Sequence, residues 1–243
     1  MARPGLRPVR RRRRLHWPRL LATMAVLAAV VGLWQLERSP LLRLQHVQVR
    51  GGPQVLWRLS GLRLDEPIWS VDTAAASRSL LTRAPYLRSA VVQRSWPQTV
   101  EIDVRYRVPL AAVVGPGGML FGVDAAGRVL TPLGRTTRLV VLGGVRSSQV
   151  GRYRDLGGGQ VHAALALIAA LAAQHFAVSQ VVARSPLAVY LPSGTEVLWP
   201  QGANTAGTLR ELQAILGVLQ HQGNVASSID LRVTAHPLVV LRK

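Results

Sequence analysis

The sequence predicts an α+β protein: a single N-terminal transmembrane helix, a β-α-α-β-β module, and then a mixed sheet with packed helices. Three observations carry this reading. An uncharged apolar run follows an arginine-rich start. Two neighbouring stretches between residues 87 and 108 alternate with period two, behind two short helical segments. Short strands punctuated by glycine then flank two longer helical stretches rich in alanine and leucine. With 243 residues and 49% apolar content the chain can bury a substantial core, and its 22 Gly and 15 Pro are neither periodic nor clustered enough for a fibrous or disordered class. Cysteine is absent, which excludes disulfides, a thiol nucleophile and cysteine-based metal sites.

Charge placement says more than the total of +19. Residues 1–19 contain eight arginines and no acid, so the remaining residues carry +11. Leu20 to Trp34 is then free of charge. Fifteen helical residues span about 22 Å, and extension from Trp17 to Leu36 reaches the roughly 30 Å of a hydrocarbon core, with Trp17 at the interface and Arg19 snorkelling outward. A cleaved signal peptide needs small residues after the apolar run. Here the chain continues Trp34-Gln35-Leu36-Glu37-Arg38, and only Val30-Val31-Gly32 could serve, so the sequence predicts an uncleaved anchor over residues 20–36. Arg10, Arg11, Arg12, Arg13 and Arg14 set the topology: residues 1–19 cytoplasmic, everything after residue 37 outside.

Leu42 to Arg50 alternates as a strand, and Gly51-Gly52-Pro53 turns into a brief helix over 54–59 with Pro53 at its first position. Asp72 or Thr73 caps a helix to about Arg83, buried through Ala76, Leu80 and Leu81 and ended by Pro85. Leu87 to Ser95 and Thr99 to Val108 form a hairpin around Trp96-Pro97-Gln98. Val100, Ile102, Val104, Tyr106 and Val108 share one face, opposite Glu101, Asp103, Arg105 and Arg107. The domain boundary is placed at 109/110. Beyond it, Leu110–Val114, Met119–Val123 and Arg128–Leu130 read as hairpin strands around the Asp124 to Gly127 turn, with another strand over 139–142. A helix over 160–175 is too short and too interrupted to span a membrane. Strands at 180–184, 187–191 and 196–199, a helix from Asn204 or Thr205 to Gln222, and a closing hairpin of 229–233 with 238–241 complete the chain.

Catalytic and ligand signals are missing. Neither Gly115-Pro116-Gly117-Gly118 nor Gly157-Gly158-Gly159 continues into a phosphate-binding motif, and no serine sits in a nucleophile elbow. The six histidines include no metal-ligand pair at helical spacing. Glu101 and Asp103 are the wet face of a strand. No catalytic, cofactor or metal residue is therefore assigned, and the chain is read as a non-enzyme that works by binding. The last strand, 238–241, either offers an open edge to a partner strand or is closed within its own sheet; the pattern leaves both open. Two other classes fit less well: a membrane-anchored nucleic-acid binder, disfavoured by 5% aromatic content, and a secreted cell-wall enzyme, which lacks a catalytic constellation.

The motifs resemble, in order, the FtsQ/DivIB family of bacterial cell-division proteins. Val47-Gln48-Val49-Arg50-Gly51, Ile68-Trp69-Ser70-Val71-Asp72 and Ala84-Pro85-Tyr86-Leu87 look like its POTRA domain, and the run from Ala90 to Ile102, with Arg94, Trp96-Pro97 and Thr99, is the most specific part. Val123 to Val129 looks like the family's D-x-x-G-x-V hairpin, and Ile229-Asp230-Leu231-Arg232 like its near-terminal I-D-L-R. The resemblance implies a POTRA domain over 42–109 that aids septal recruitment and an FtsQ-type β domain over 110–243. It further implies a septal scaffold in the inner membrane that binds the division proteins FtsB and FtsL and helps regulate septal peptidoglycan synthesis. By position, Arg232 would pair with a partner acid, and Val233 to Leu241, with Leu238, Val239 and Val240, would be the docking strand. Two departures stand out. Tyr106-Arg107-Val108-Pro109 lacks the acid usual before the arginine, which weakens an ion-pair argument at the domain junction, and residues 233–241 carry no aromatic side chain.

Overall fold

The computed structural model describes residues 22–28, 31, 42–202, 204–233 and 237–242. The chain packs as two compact units, one of residues up to Arg83 with Ala90–Val104, the other of Ala84–Ser89 with Arg105 onward.

The first unit is organised by a three-stranded sheet of order β1-β3-β2, made by β1 (His46–Arg50), β2 (Leu87–Ser95) and β3 (Thr99–Tyr106). β1 and β3 run parallel, with Val47 opposite Val100 and Val49 opposite Ile102. The β-pattern expected from residue 42 begins only at His46, because Leu42 to Leu44 pair with a different segment: Ile68 N–H donates to Leu42 and Leu44 N–H to Glu66. Residues Gln54–Leu59 form a 3₁₀ helix, and Pro53 is its extended N-cap rather than its first helical residue. Helix α1 (Thr73–Arg83) starts where expected, since Asp72 Oδ1 accepts the Ala75 N–H at 2.8 Å. Its Ala76 and Leu80 are buried and Leu81 half-buried. The α1 face is tied to its neighbours by Ser79, whose hydroxyl donates to the Leu59 carbonyl at 3.0 Å.

The second unit is a nine-stranded mixed sheet of order β12-β11-β10-β9-β8-β7-β4-β5-β6. Its strands are β4 (Ala111–Val114), β5 (Leu120–Val123), β6 (Val129–Gly134), β7 (Val141–Gly143), β8 (Gln180–Val182), β9 (Leu187–Tyr190), β10 (Glu196–Trp199), β11 (Ala226–Asp230) and β12 (Leu238–Leu241). Helix α2 (Gly159–Ala173) lies between β7 and β8 in the chain, and α3 (Thr205–His221) between β10 and β11. Both connect parallel neighbours, as crossover helices must. The expectation of an α+β protein with a β-α-α-β-β module holds, the first of its two helices being 3₁₀.

Sequence explains why the helices sit on the sheet. Ala164, Leu165, Ile168 and Leu171 of α2 and Leu209 and Leu212 of α3 are buried with Leu142, Val181, Val189, Val197 and Ile229 in one apolar cluster. Each buried leucine or isoleucine contributes roughly 1.5–3 kcal/mol relative to exposure. Asn204 begins α3 by accepting the Ala206 N–H at 3.1 Å, which satisfies a donor the helix cannot. The penultimate strand is Ala226–Asp230 rather than the expected 229–233. It stops because Asp230 Oδ1 accepts the Arg232 N–H at 3.0 Å, and this local turn takes the chain out of the ladder. No described helix is long and apolar enough to cross a membrane. Of the expected anchor, residues 22–28 are helical and the rest apart from residue 31 lie outside the described residues, as do Arg10 to Arg14.

Candidate functional site: the β12 edge

The two ends of the nine-stranded sheet differ. β6 carries Pro132 in its sequence and register shifts against β5, features that keep an edge from recruiting another strand. β12 is Leu-Val-Val-Leu, with neither proline nor charge. Its inner side pairs antiparallel with β11, Leu238 opposite Asp230, Val239 opposite Ile229 and Val240 opposite Ser228. On the other side no strand lies beside it among the described residues.

Backbone direction follows from the bonds made inward. The Val240 carbonyl accepts from the Ser227 hydroxyl at 3.0 Å, and the Arg242 N–H donates to Val225 at 2.8 Å. Alternate residues of an antiparallel strand point their N–H and C=O groups to opposite sides. Val239 and Leu241 therefore present theirs outward.

Side chains divide by the same period of two. Val239 packs against the core, and with Leu241 it faces α3, where Ala214, Ile215, Val218 and Leu219 complete an apolar groove of about 420 Å³. Leu238 and Val240 point to the other face and are 67% and 49% exposed. An open strand beside an apolar trough has the two parts that strand addition uses: backbone groups for affinity and pockets for alternate side chains.

Charge frames the edge. Arg232 is bidentate to Asp230, with Nη2 to Oδ2 at 2.6 Å and Nε to Oδ1 at 2.9 Å. This hydrogen bonding holds the Asp230 carboxyl below the usual carboxylate range and raises the guanidinium above its own. The arginine expected to meet a partner acid thus already holds an acid of its own chain, two residues away and invisible as a pair from spacing alone. Arg242, at the far end of β12, reaches the Ser193 carbonyl at 3.4 Å. Val233 is exposed in the bend before β12.

An ion pair that the sequence did not suggest lies elsewhere in the second unit. Arg107 Nη1 meets Asp124 Oδ2 at 2.6 Å, and both side chains are mostly buried. Asp124 Oδ1 also accepts the Ala126 and Arg128 N–H groups, while Arg107 Nε donates to the Pro85 and Leu87 carbonyls. The acid missing before Arg107 is therefore supplied from the β5–β6 turn. The D-x-x-G motif marked that turn without indicating its partner. Among the described residues no group of three or more potential metal ligands comes together.

A small three-stranded module with two helices, followed by a mixed sheet that ends in an outermost strand, defines an α+β protein that carries a POTRA module. Residues 42–107 match the FtsQ-type POTRA domain, and residues 112–232 match the C-terminal region of the cell division protein FtsQ/DivIB. The chain belongs to the FtsQ/DivIB family of cell division proteins. It is 29% identical over 218 residues to the cell division protein FtsQ of Streptomyces bingchenggensis, covering 85% of this chain and 82% of that one. It is 27% identical over 230 residues to FtsQ of Streptomyces venezuelae, covering 90% and 84%. With FtsQ of an Anaeromyxobacter species it shares 35% identity over 134 residues, half of this chain and 44% of the relative.

Proposed function

We propose that this chain is a single-pass division scaffold, anchored in the cytoplasmic membrane through residues 20–36, that takes up a strand of FtsB along β12, binds FtsL in the same complex, and so helps regulate septal peptidoglycan synthesis. The observation that carries the docking mode is the position of β12: outermost of nine strands, uncharged, beside the α3 groove. The membrane reading is supported by the exposed apolar side chains of Met24, Val26 and Leu27 within the helical residues 22–28, and by the arginines before them. In this reading Arg10 to Arg14 keep the N-terminus cytoplasmic, a POTRA domain over 42–109 serves recruitment to the septum, and the domain over 110–243 docks the partner.

A six-residue partner strand adds about five hydrogen bonds at roughly 0.5–1.5 kcal/mol each, part of which is lost to ordering the strand. Apolar partner side chains seated against Val239, Leu241 and Val218 then provide the remaining affinity, and Arg232, shared with Asp230, selects an acid at the rim.

Val239→Pro and Leu241→Pro each remove an outward N–H while leaving the inward ladder to β11 intact. Co-purification of FtsB with full-length protein is expected to be lost in both, with thermal unfolding close to that of the parent. Undiminished capture of FtsB by both variants would overturn the docking mode.

A further inference from the structure

The first unit exposes a tryptophan at the end of its sheet where the chain arrives from the N-terminal side. Trp96, in the β2–β3 turn, is 58% exposed, whereas Trp57 and Trp69 are half-buried and Trp199 is buried. Its turn is fastened to the incoming chain: the N–H groups of Gln45 and His46 both donate to the Gln98 carbonyl, at 2.9 and 3.1 Å. Trp69 belongs to the same end, because its neighbour Ile68 donates to the Leu42 carbonyl at 2.9 Å. Arg94 is exposed there and donates to the Val71 carbonyl at 2.7 Å, and Arg43 donates to the Asp65 carbonyl at 3.1 Å. The nearby carboxylates of Asp72 and Glu66 accept from backbone N–H groups, and Asp65 is exposed.

Chain length fixes how far this end can stand from a bilayer. Leu42 lies six residue steps beyond Leu36, the end of the expected anchor, so the tether spans at most about 22 Å. Tryptophan favours the headgroup level, where its ring is shielded and its N–H stays wet, and arginine suits the phosphates beside it. We propose that Trp96 rests in the phospholipid headgroup layer of the membrane that this chain's own anchor spans, with Arg94 and Arg43 toward the lipid phosphates. Lipid contact at the turn holds the β1 start against the bilayer and restricts swivelling about the tether. The proposal rests on the membrane reading above.

The absence of cysteine makes the test direct, since any introduced thiol is unique. Full-length protein carrying Ser95→Cys, Leu27→Cys or Gln213→Cys is labelled with an environment-sensitive fluorophore and reconstituted into phosphatidylethanolamine/phosphatidylglycerol vesicles. The vesicles carry quenching spin labels either on the headgroup or on the acyl chain. The expected result is headgroup quenching at position 95 above the level at position 213, which serves as the reference for non-specific collision, and acyl-chain quenching at position 27. Adding Trp96→Ser should abolish this excess at 95 with the thermal transition unchanged. Quenching at 27 without any excess at 95 overturns the lipid contact and leaves the anchor intact. No acyl-chain quenching at 27 overturns the anchor and the contact with it. An excess at 95 that persists in Trp96→Ser refutes the role of the ring.

Discussion

Replacing Asp124 with alanine takes away three contacts at once and strands a cation. Oδ2 holds Arg107 at 2.6 Å, and Oδ1 accepts the Ala126 and Arg128 N–H groups at 3.0 and 2.9 Å. The Arg107 side chain is 16% exposed and stays pinned by its Nε bonds to Pro85 and Leu87, so it cannot simply swing into water. Breaking a buried pair by removing one partner costs roughly 3–5 kcal/mol, because the remaining charge is left desolvated. Asp124→Asn keeps the shape and the Oδ1 acceptor but forfeits the charge, and should cost about 1.5–3 kcal/mol, the worth of a hydrogen bond to a charged group. Replacing both members with Arg107→Met and Asp124→Leu should recover part of the loss relative to Asp124→Ala, since no buried charge remains. Urea unfolding of the full-length protein measures all three. The reasoning fails if Asp124→Ala costs less than about 1 kcal/mol, or if alanine and asparagine are equivalent.

Three other outcomes are expected. Gly51 has φ +80°, and a Cβ there would come within 2.3 Å of the Val104 carbonyl oxygen, so Gly51→Ala should destabilise the first unit by at least about 1–2 kcal/mol, read as an early melting step. Leu212→Ala, at a fully buried α3 position, should cost about 2–5 kcal/mol in denaturant unfolding. Asp230 should titrate below an ordinary carboxylate by carboxyl NMR, and Arg232→Gln should bring it back up. Because its folded value is depressed, the stability it gives the bend before β12 is complete at and above the usual carboxylate range and is lost as the pH falls through the lowered value.

Legibility followed the range of the interaction. Asp72 and Asn204 were readable as caps because the cap and its N–H lie within three residues. The β2–β3 hairpin was readable as far as Val104 because period-two alternation is imposed by one buried face; beyond it the expected core positions Tyr106 and Val108 are exposed, and β3 ends at Tyr106. The partnership of Arg107 with Asp124 was not, since the two are 17 residues apart and joined only by packing. Likewise the run 229–233 looks like one strand, but the Asp230–Arg232 pair ends it, a competition between side-chain and ladder hydrogen bonds that hydropathy does not record. At the docking edge, Leu238 to Leu241 carried a strand signal whatever their neighbours, while which groups face outward depends on the register with β11.

Local chemistry along the chain thus determined the elements, the apolar segment behind the arginine tail and the absence of catalytic motifs, because propensity, capping and alternation act over a few residues. Only tertiary structure decided the order of nine strands, the groove between α3 and β12, and the placement of Trp96 where the chain arrives. Those features arise from contacts between segments far apart in sequence, where burial and hydrogen-bond satisfaction over the whole sheet select one arrangement among many that the local pattern allows.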